Sequence, residues 1–233
     1  MPPYGLGRIH APDDRDCLYP AELVLDRLSS VRRRQPWARP RVLDQGATGT
    51  CVGHGWRGWF EGEPKIHAPA DGPDAFAIYR RAVLLDGIAD NDGDATAPQS
   101  QLQSGSTVRA GAKAMQEAGL INSYVWATRA AQIADYVTRA QGSPVVVGTN
   151  WYQGMFRPNE HGRVALTGGI AGGHCWVVNW FDGKLFWCYS SWGEAWGVKD
   201  LNGVGGSFTL SIAQLDRLVR ERGEACCGTE LVI

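Results

Sequence analysis

The stretch Val42–Gly55, VLDQGATGTCVGHG, sets a single cysteine among glycines. Gly46, Gly49, Gly53 and Gly55 surround Cys51, and Gln45 precedes it by six positions. So little side-chain bulk implies an exposed turn and not a packed core. The apolar pattern of CVGHGWRGWFE begins at Cys51 itself, so the sulfur stands where a loop becomes a helix. There the open N–H groups and the positive helix end favour thiolate over thiol. Three roles are open to Cys51: nucleophile, metal ligand or buried structural thiol. A free cysteine titrates near ~8.5, and a helix N-terminus with an imidazolium lowers that by several units. A nucleophile at neutral pH therefore needs a histidine from elsewhere in the chain.

The bulk properties bound what such a thiol can serve. With 233 residues, 44% apolar and 20% charged, the chain can build one large domain or two small lobes. A net charge of -1 supplies no field for nucleic acid or an anionic membrane, so neither is expected as a partner. Arg32, Arg33, Arg34, Arg39 and Arg41 form a local basic run, read as a solvated face. No run approaches the ~18 apolar residues of a membrane span, and the first residues lack the pattern of a signal peptide. The six cysteines, at 17, 51, 175, 188, 226 and 227, are too few and irregular for a disulfide framework. They are read as mostly reduced, which points to a cytoplasmic or virion-associated protein.

Along the chain the pattern changes near Ser143. Before it, CVGHGWRGWFE, DAFAIYRRAVLLDG, STVRAGAKAMQEAG and TRAAQIADYVTRAQG carry apolar residues at three-to-four spacing, three of them stopping at glycine. After it come the short valine- and aromatic-rich runs PVVVGTNW, HCWVVNWF, KLFWCYSSW, GGSFTLS and GTELVI, with an Asp182-Gly183 turn and one helix near 212–222. The division expected is an extended segment over 1–43, a helical lobe over 44–143 carrying the cysteine, and a β lobe over 144–233.

The β half supplies the missing base. In GGIAGGHCWVVNW, His174 starts a strand behind two glycines that let another segment approach closely. YSSWGEAWG follows after a hairpin and would lie on the neighbouring strand, offering a group to orient the imidazole. Gln45 and the Cys51 N–H would make an oxyanion hole. Against this stand plainer readings. His54 could join Cys51, His174 and Cys175 in a zinc site, although Cys175 should point away from His174. Asp90, Asp92 and Asp94 start like a calcium loop, but Ala95 and Gln101 replace its glycine and glutamate, which leaves a solvated acidic turn. No metal and no cofactor is expected. The ten tryptophans, with Trp56 and Trp59 at i and i+3, read as core, as do Cys17, Cys175 and Cys188.

Gln45, Gly46, Cys51, the GGH at 172–174, SWGEAWG at 191–197 and GGSF at 205–208 together resemble the papain-like cysteine peptidases. AIYRRAVLLDG and SGSTVRAGAKAMQEAGLI are similar to the bacterial and viral branch, so the resemblance spans 44–208. It implies an α+β, two-lobed papain-like fold: a helical left lobe, an antiparallel β-barrel right lobe and the active site between them. It implies Cys51 as nucleophile, His174 as base, Gln45 for the oxyanion and Trp192 shielding the histidine. Gly105, Gly173 and Trp192 would line the substrate groove.

The chain departs from that family in several places. Thr48 and Val52 replace a disulfide cysteine and a tryptophan, and Ser190 stands where the family has asparagine. Its hydroxyl is shorter by one bond, roughly 1.5 Å, which predicts a looser imidazole that Ser190→Asn would tighten. The fifty residues before Cys51 look too few for an inhibitory pro-segment. The expectation is a cysteine peptidase acting on peptides or proteins. The alternatives are an inactive domain kept as part of a larger assembly such as a phage particle, with its N-terminal segment docking partners, and a peptidoglycan endopeptidase or amidase.

Overall fold

A computed structural model describes residues 4–65, 67–68 and 70–232. Its helices are α1 (Glu22–Leu25), α2 (Cys51–Glu61), α3 (Ala75–Leu85), α4 (Val108–Glu117), α5 (Ala130–Thr138) and α6 (Ile212–Arg220). Its strands are β1 (Ser123–Ala127), β2 (Val145–Tyr152), β3 (Ile170–Phe181), β4 (Leu185–Tyr189), β5 (Ser207–Ser211) and β6 (Glu224–Thr229), with short 3-10 turns between. The strands form one antiparallel sheet in the order β1-β6-β2-β3-β4-β5.

Side-chain alternation along the strands divides the core in two. Val146, Cys175, Val177 and Cys226 face the layer holding α2 and α4, where Val52, Trp56, Trp59, Val108 and Met115 pack. Val145, Val147, Trp176, Val178 and Cys227 face the other way, onto Ile133 and Val137 of α5 and Leu215 and Leu218 of α6. Helix ends are fixed locally. Asp74 caps α3 through the Ala77 N–H (2.8 Å), Thr107 caps α4 through the Ala110 N–H (3.0 Å), and Ser211 with Gln214 makes a capping box on α6.

The four helices expected between 51 and 140 are present. β1 falls in a stretch read as helical throughout, and the last strand is EACCGT at 224–229 where GTELVI was expected. The basic run is not a solvated face. Arg39 is buried on Asp200 (2.9 Å), Arg41 pairs with Glu61 (2.7 Å), Arg33 with Glu63 (2.6 Å) and Arg32 with Asp135. All six cysteines are free, and Cys17 is exposed, its sulfhydryl on the Asp14 carbonyl, so it packs no core. Among the described residues no helix is long and apolar enough to cross a membrane.

Candidate active site

Thr50 leaves the first turn of α2 without a side-chain cap, and Cys51 opens that turn with its sulfur wholly buried. The sulfur accepts the Cys175 N–H of β3 (3.3 Å), which fixes the helix end against the strand that carries His174. His174 points to the opposite face of β3. Its ring stacks on Trp192, with centroids 4.2 Å apart at 18°, and meets Trp151 edge-on at 4.9 Å. Nε2 lies 2.8 Å from the Ser190 hydroxyl at the end of β4. Nδ1 is buried and makes no hydrogen bond, so Cys51 and His174 are not bonded to each other here. Gln45 is held from both sides: Ser191 donates to its Oε1 (2.6 Å), and its Nε2 donates to the Thr48 carbonyl (2.7 Å).

The structure thus gathers Gln45, Cys51, His174, Ser190 and Trp192, and it adds a feature that the sequence did not announce. Residues Tyr4 to Arg8 run through the groove as an extended strap. The Gly5 carbonyl accepts from Gln45 Nε2 (3.2 Å) and Trp192 Nε1 (3.1 Å), and Tyr4 stacks on Trp192 at 5.0 Å. The N–H groups of Gly7 and Arg8 donate to the Gly173 carbonyl, both at 3.0 Å. Gly7 O accepts the Ser106 N–H (2.8 Å), and Ile9 N–H donates to Ser106 O (2.8 Å), a parallel bridge of Arg8 with Ser106. The Gly7 N–H, though bonded to Gly173, also favours negative charge on the Cys51 sulfur.

Close approach explains the glycines. A Cβ on Gly7 would stand 1.9 Å from the Gly49 carbonyl oxygen, and one on Gly173 would stand 2.0 Å from the Arg8 carbonyl oxygen. The segment expected to approach behind the two glycines is the chain's own N-terminus. Five residues, Tyr4 to Arg8, thus occupy the groove. Gly105 itself bonds Tyr79, whose hydroxyl accepts its N–H (2.9 Å), while its neighbour Ser106 contacts the strap.

Covering the site changes its electrostatics. Burial pushes the Cys51 thiol up to about 12, against the pull of the Cys175 and Gly7 N–H groups and of Arg8. Burial, with His54 adding to it, lowers His174 to about 3. In this state both groups are neutral near pH 7, the reverse of the thiolate expected from the helix end alone; desolvation outweighs the helix terminus. The zinc reading also fails on geometry. His54 Nδ1 is held on the Thr50 carbonyl (3.0 Å), His174 and Cys175 lie on opposite faces, and no group of three or more metal-ligating side chains forms among the described residues. In the acidic turn, Asp94 accepts from the Tyr79 hydroxyl (2.6 Å) and the Ser104 N–H (3.0 Å).

No protein-family profile matches the sequence, and no curated protein matches it. Solved structures do. Xylellain, a cysteine protease from Xylella fastidiosa, is 16% identical, covers 98% of this chain and 97% of its own, and superposes with a TM-score of 0.66. The ragweed Amb a 11 cysteine protease in its proform is 14% identical, with 98% and 75% covered and a TM-score of 0.56. The bromelain protease of Ananas comosus, in complex with the E64 inhibitor, is 13% identical, with 82% and 94% covered and a TM-score of 0.52. The chain has the fold of the papain-like cysteine proteases.

Proposed function

We propose that the chain is a cysteine peptidase held latent by its own N-terminal strap. One observation carries the reading: a run of peptide backbone already lies against Cys51, with its Gly5 carbonyl on the Gln45 amide. A groove that hydrogen-bonds peptide backbone from both walls is suited to a peptide substrate. Once the strap leaves, the Cys51 thiolate attacks the carbonyl carbon of the scissile bond. Gln45 Nε2 and the Cys51 N–H hold the oxyanion, and His174 gives its proton to the leaving amine as the C–N bond breaks. His174 then takes a proton from water, whose oxygen attacks the thioester and releases Cys51 as thiolate. Ser190 accepts the Nε2–H and fixes the tautomer, while Trp192 covers the ring.

The strap escapes this chemistry by direction and by what it presents. The leaving amine must stand beside His174 and Trp192, so a substrate enters that end with its C-terminal half. The strap runs the other way, with Tyr4 and Gly5 on Trp192 and Arg8 beyond the sulfur. Its Gly5 carbonyl is taken by Gln45 Nε2 and Trp192 Nε1, and its Gly7 N–H by the Gly173 carbonyl.

The test is labelling of Cys51 by a peptidyl epoxide, with hydrolysis of a peptide library. Gly7→Val cannot keep the strap seated and is expected to label at least about tenfold faster than the natural chain and to hydrolyse peptides, while Cys51→Ala does neither. A second reading, a structural domain, draws on the missing Cys51–His174 hydrogen bond. It prevails if a folded Gly7→Val protein labels no faster than free cysteine.

A further inference from the structure

Cys175 brings a second thiol to the nucleophile, and none of the chemistry above uses it. It follows His174 on β3 but faces the other way, into the layer that holds α2. Cys51, Cys175 and Cys226 belong to one buried cluster there, and all three are fully enclosed. The Cys175 N–H donates to the Cys51 sulfur at 3.3 Å, so the two Cα atoms stand at most about 7 Å apart, close to the span that a disulfide bridges. The Cys175 sulfur lies along the same helix. A Cβ on Gly55, one turn after Cys51, would stand 2.9 Å from it, so a glycine is what lets this thiol sit between strand and helix. Burial, and then the charge of Cys51, push the Cys175 thiol well above its usual range. It therefore stays protonated at neutral pH and leaves Cys51 as the reactive member of the pair.

We propose that Cys51 and Cys175 are a redox pair: a hydroperoxide oxidises Cys51 in the uncovered groove, and Cys175 resolves the product as a disulfide. The inference rests on the peptidase reading, because the strap must leave before an oxidant meets the thiolate. The Cys51 thiolate attacks one oxygen of hydrogen peroxide, the O–O bond breaks, and the departing hydroxide takes a proton from solvent to become water. Cys51 is then a sulfenic acid. The Cys175 sulfur attacks the Cys51 sulfur, the S–O bond breaks, and the hydroxyl departs with the Cys175 proton as water. The two thiols have lost two electrons, and one peroxide has become two waters. Proximity favours this step over attack by a second peroxide. The resolving thiol is held beside Cys51 by the fold, whereas the oxidant must arrive from solution. A disulfide is returned to thiols by an added dithiol, while a sulfinic acid is not. The pair thus makes the oxidised protein dormant and recoverable.

The experiment uses the full-length Gly7→Val protein, exposed to hydrogen peroxide and then to dithiothreitol, with epoxide labelling of Cys51 measured at each stage. Peroxide is expected to abolish labelling and dithiothreitol to restore most of it. Digestion without reductant is expected to yield a cross-linked peptide that joins Cys51 to Cys175. Adding Cys175→Ala, which keeps the backbone N–H on the sulfur, is expected to leave the loss and remove the recovery, with Cys51 found as sulfinic or sulfonic acid. If that variant does not fold, the cross-link and the recovery in the Gly7→Val protein decide by themselves. Irreversible loss in the Gly7→Val protein, a cross-link from Cys51 to Cys226, or a Cys175→Ala protein that recovers equally overturns the pair and leaves the peptidase reading standing. No labelling before any oxidant, with no hydrolysis of any peptide, overturns the peptidase reading and this inference with it.

Discussion

At the residue scale, Ser190 does what a longer side chain was expected to be needed for. Its hydroxyl is 2.8 Å from His174 Nε2 without a bridging group, because the end of β4 brings the backbone close enough. The site is also full: Ser190 is buried, and the indole of Trp192 already lies on the imidazole. Ser190→Asn should therefore crowd the ring and give no faster labelling in the Gly7→Val background. Ser190→Ala leaves Nε2 without a partner and should slow labelling up to about tenfold, about 1.4 kcal/mol. The pH response follows from the two buried groups. Burial holds His174 neutral down to about 3, so the folded chain loses stability as pH falls from the ordinary histidine value near ~6.5 toward 3. The thiol, pushed up to about 12, makes the folded chain lose stability again as pH rises from ~8.5 toward 12. The urea midpoint should accordingly be lower at pH 4.5 than at pH 6.5. A midpoint unchanged across that range would show that unfolding takes up no proton at His174.

At the scale of elements, α3, α5 and α6 were readable because their burial follows the helical period, whereas α2, buried at every residue, was readable only from the spacing of its large apolar side chains. β1 and β6 were not readable for a physical reason. SYVWA is five residues set between two helical patterns, and EACCGT has few β-branched residues. β6 is a strand because it lies between β1 and β2 with both faces buried, which is a tertiary cause. Glu224 lies at the start of that strand, so the acid that pairs with Arg8 (2.7 Å) was hidden with it. The strap, YGLGR, has no period at all; its fit depends on backbones meeting at glycines. The basic run was misread because composition does not tell a solvated arginine from a clamped one. Arg39 donates to Asp200 and to the carbonyls of Val204 (3.0 Å) and Gly205 (2.5 Å), tying the N-terminal segment to the loop before β5. Arg39→Ala strands a buried carboxylate and should destabilise the protein by about 3–5 kcal/mol, read as a lowered urea midpoint. An unchanged midpoint would mean that water replaces the guanidinium there.

For the whole molecule, the pattern of Gln45, Cys51, His174 and the WG motifs was enough to reach the fold. It was not enough to reach the state in which that fold is found. The reason is that a thiol's environment is a sum over distant parts of the chain. The helix end is local, but the cover that outweighs it comes from residues more than forty positions away. Because that cover is joined to the body by a short run of chain, the strap meets its groove at an effective concentration set by the tether, of the order of millimolar for short flexible linkers. Its hold is thus a property of each molecule alone: dilution does not loosen it, and a peptide arriving from solution contends with a rival that never diffuses away.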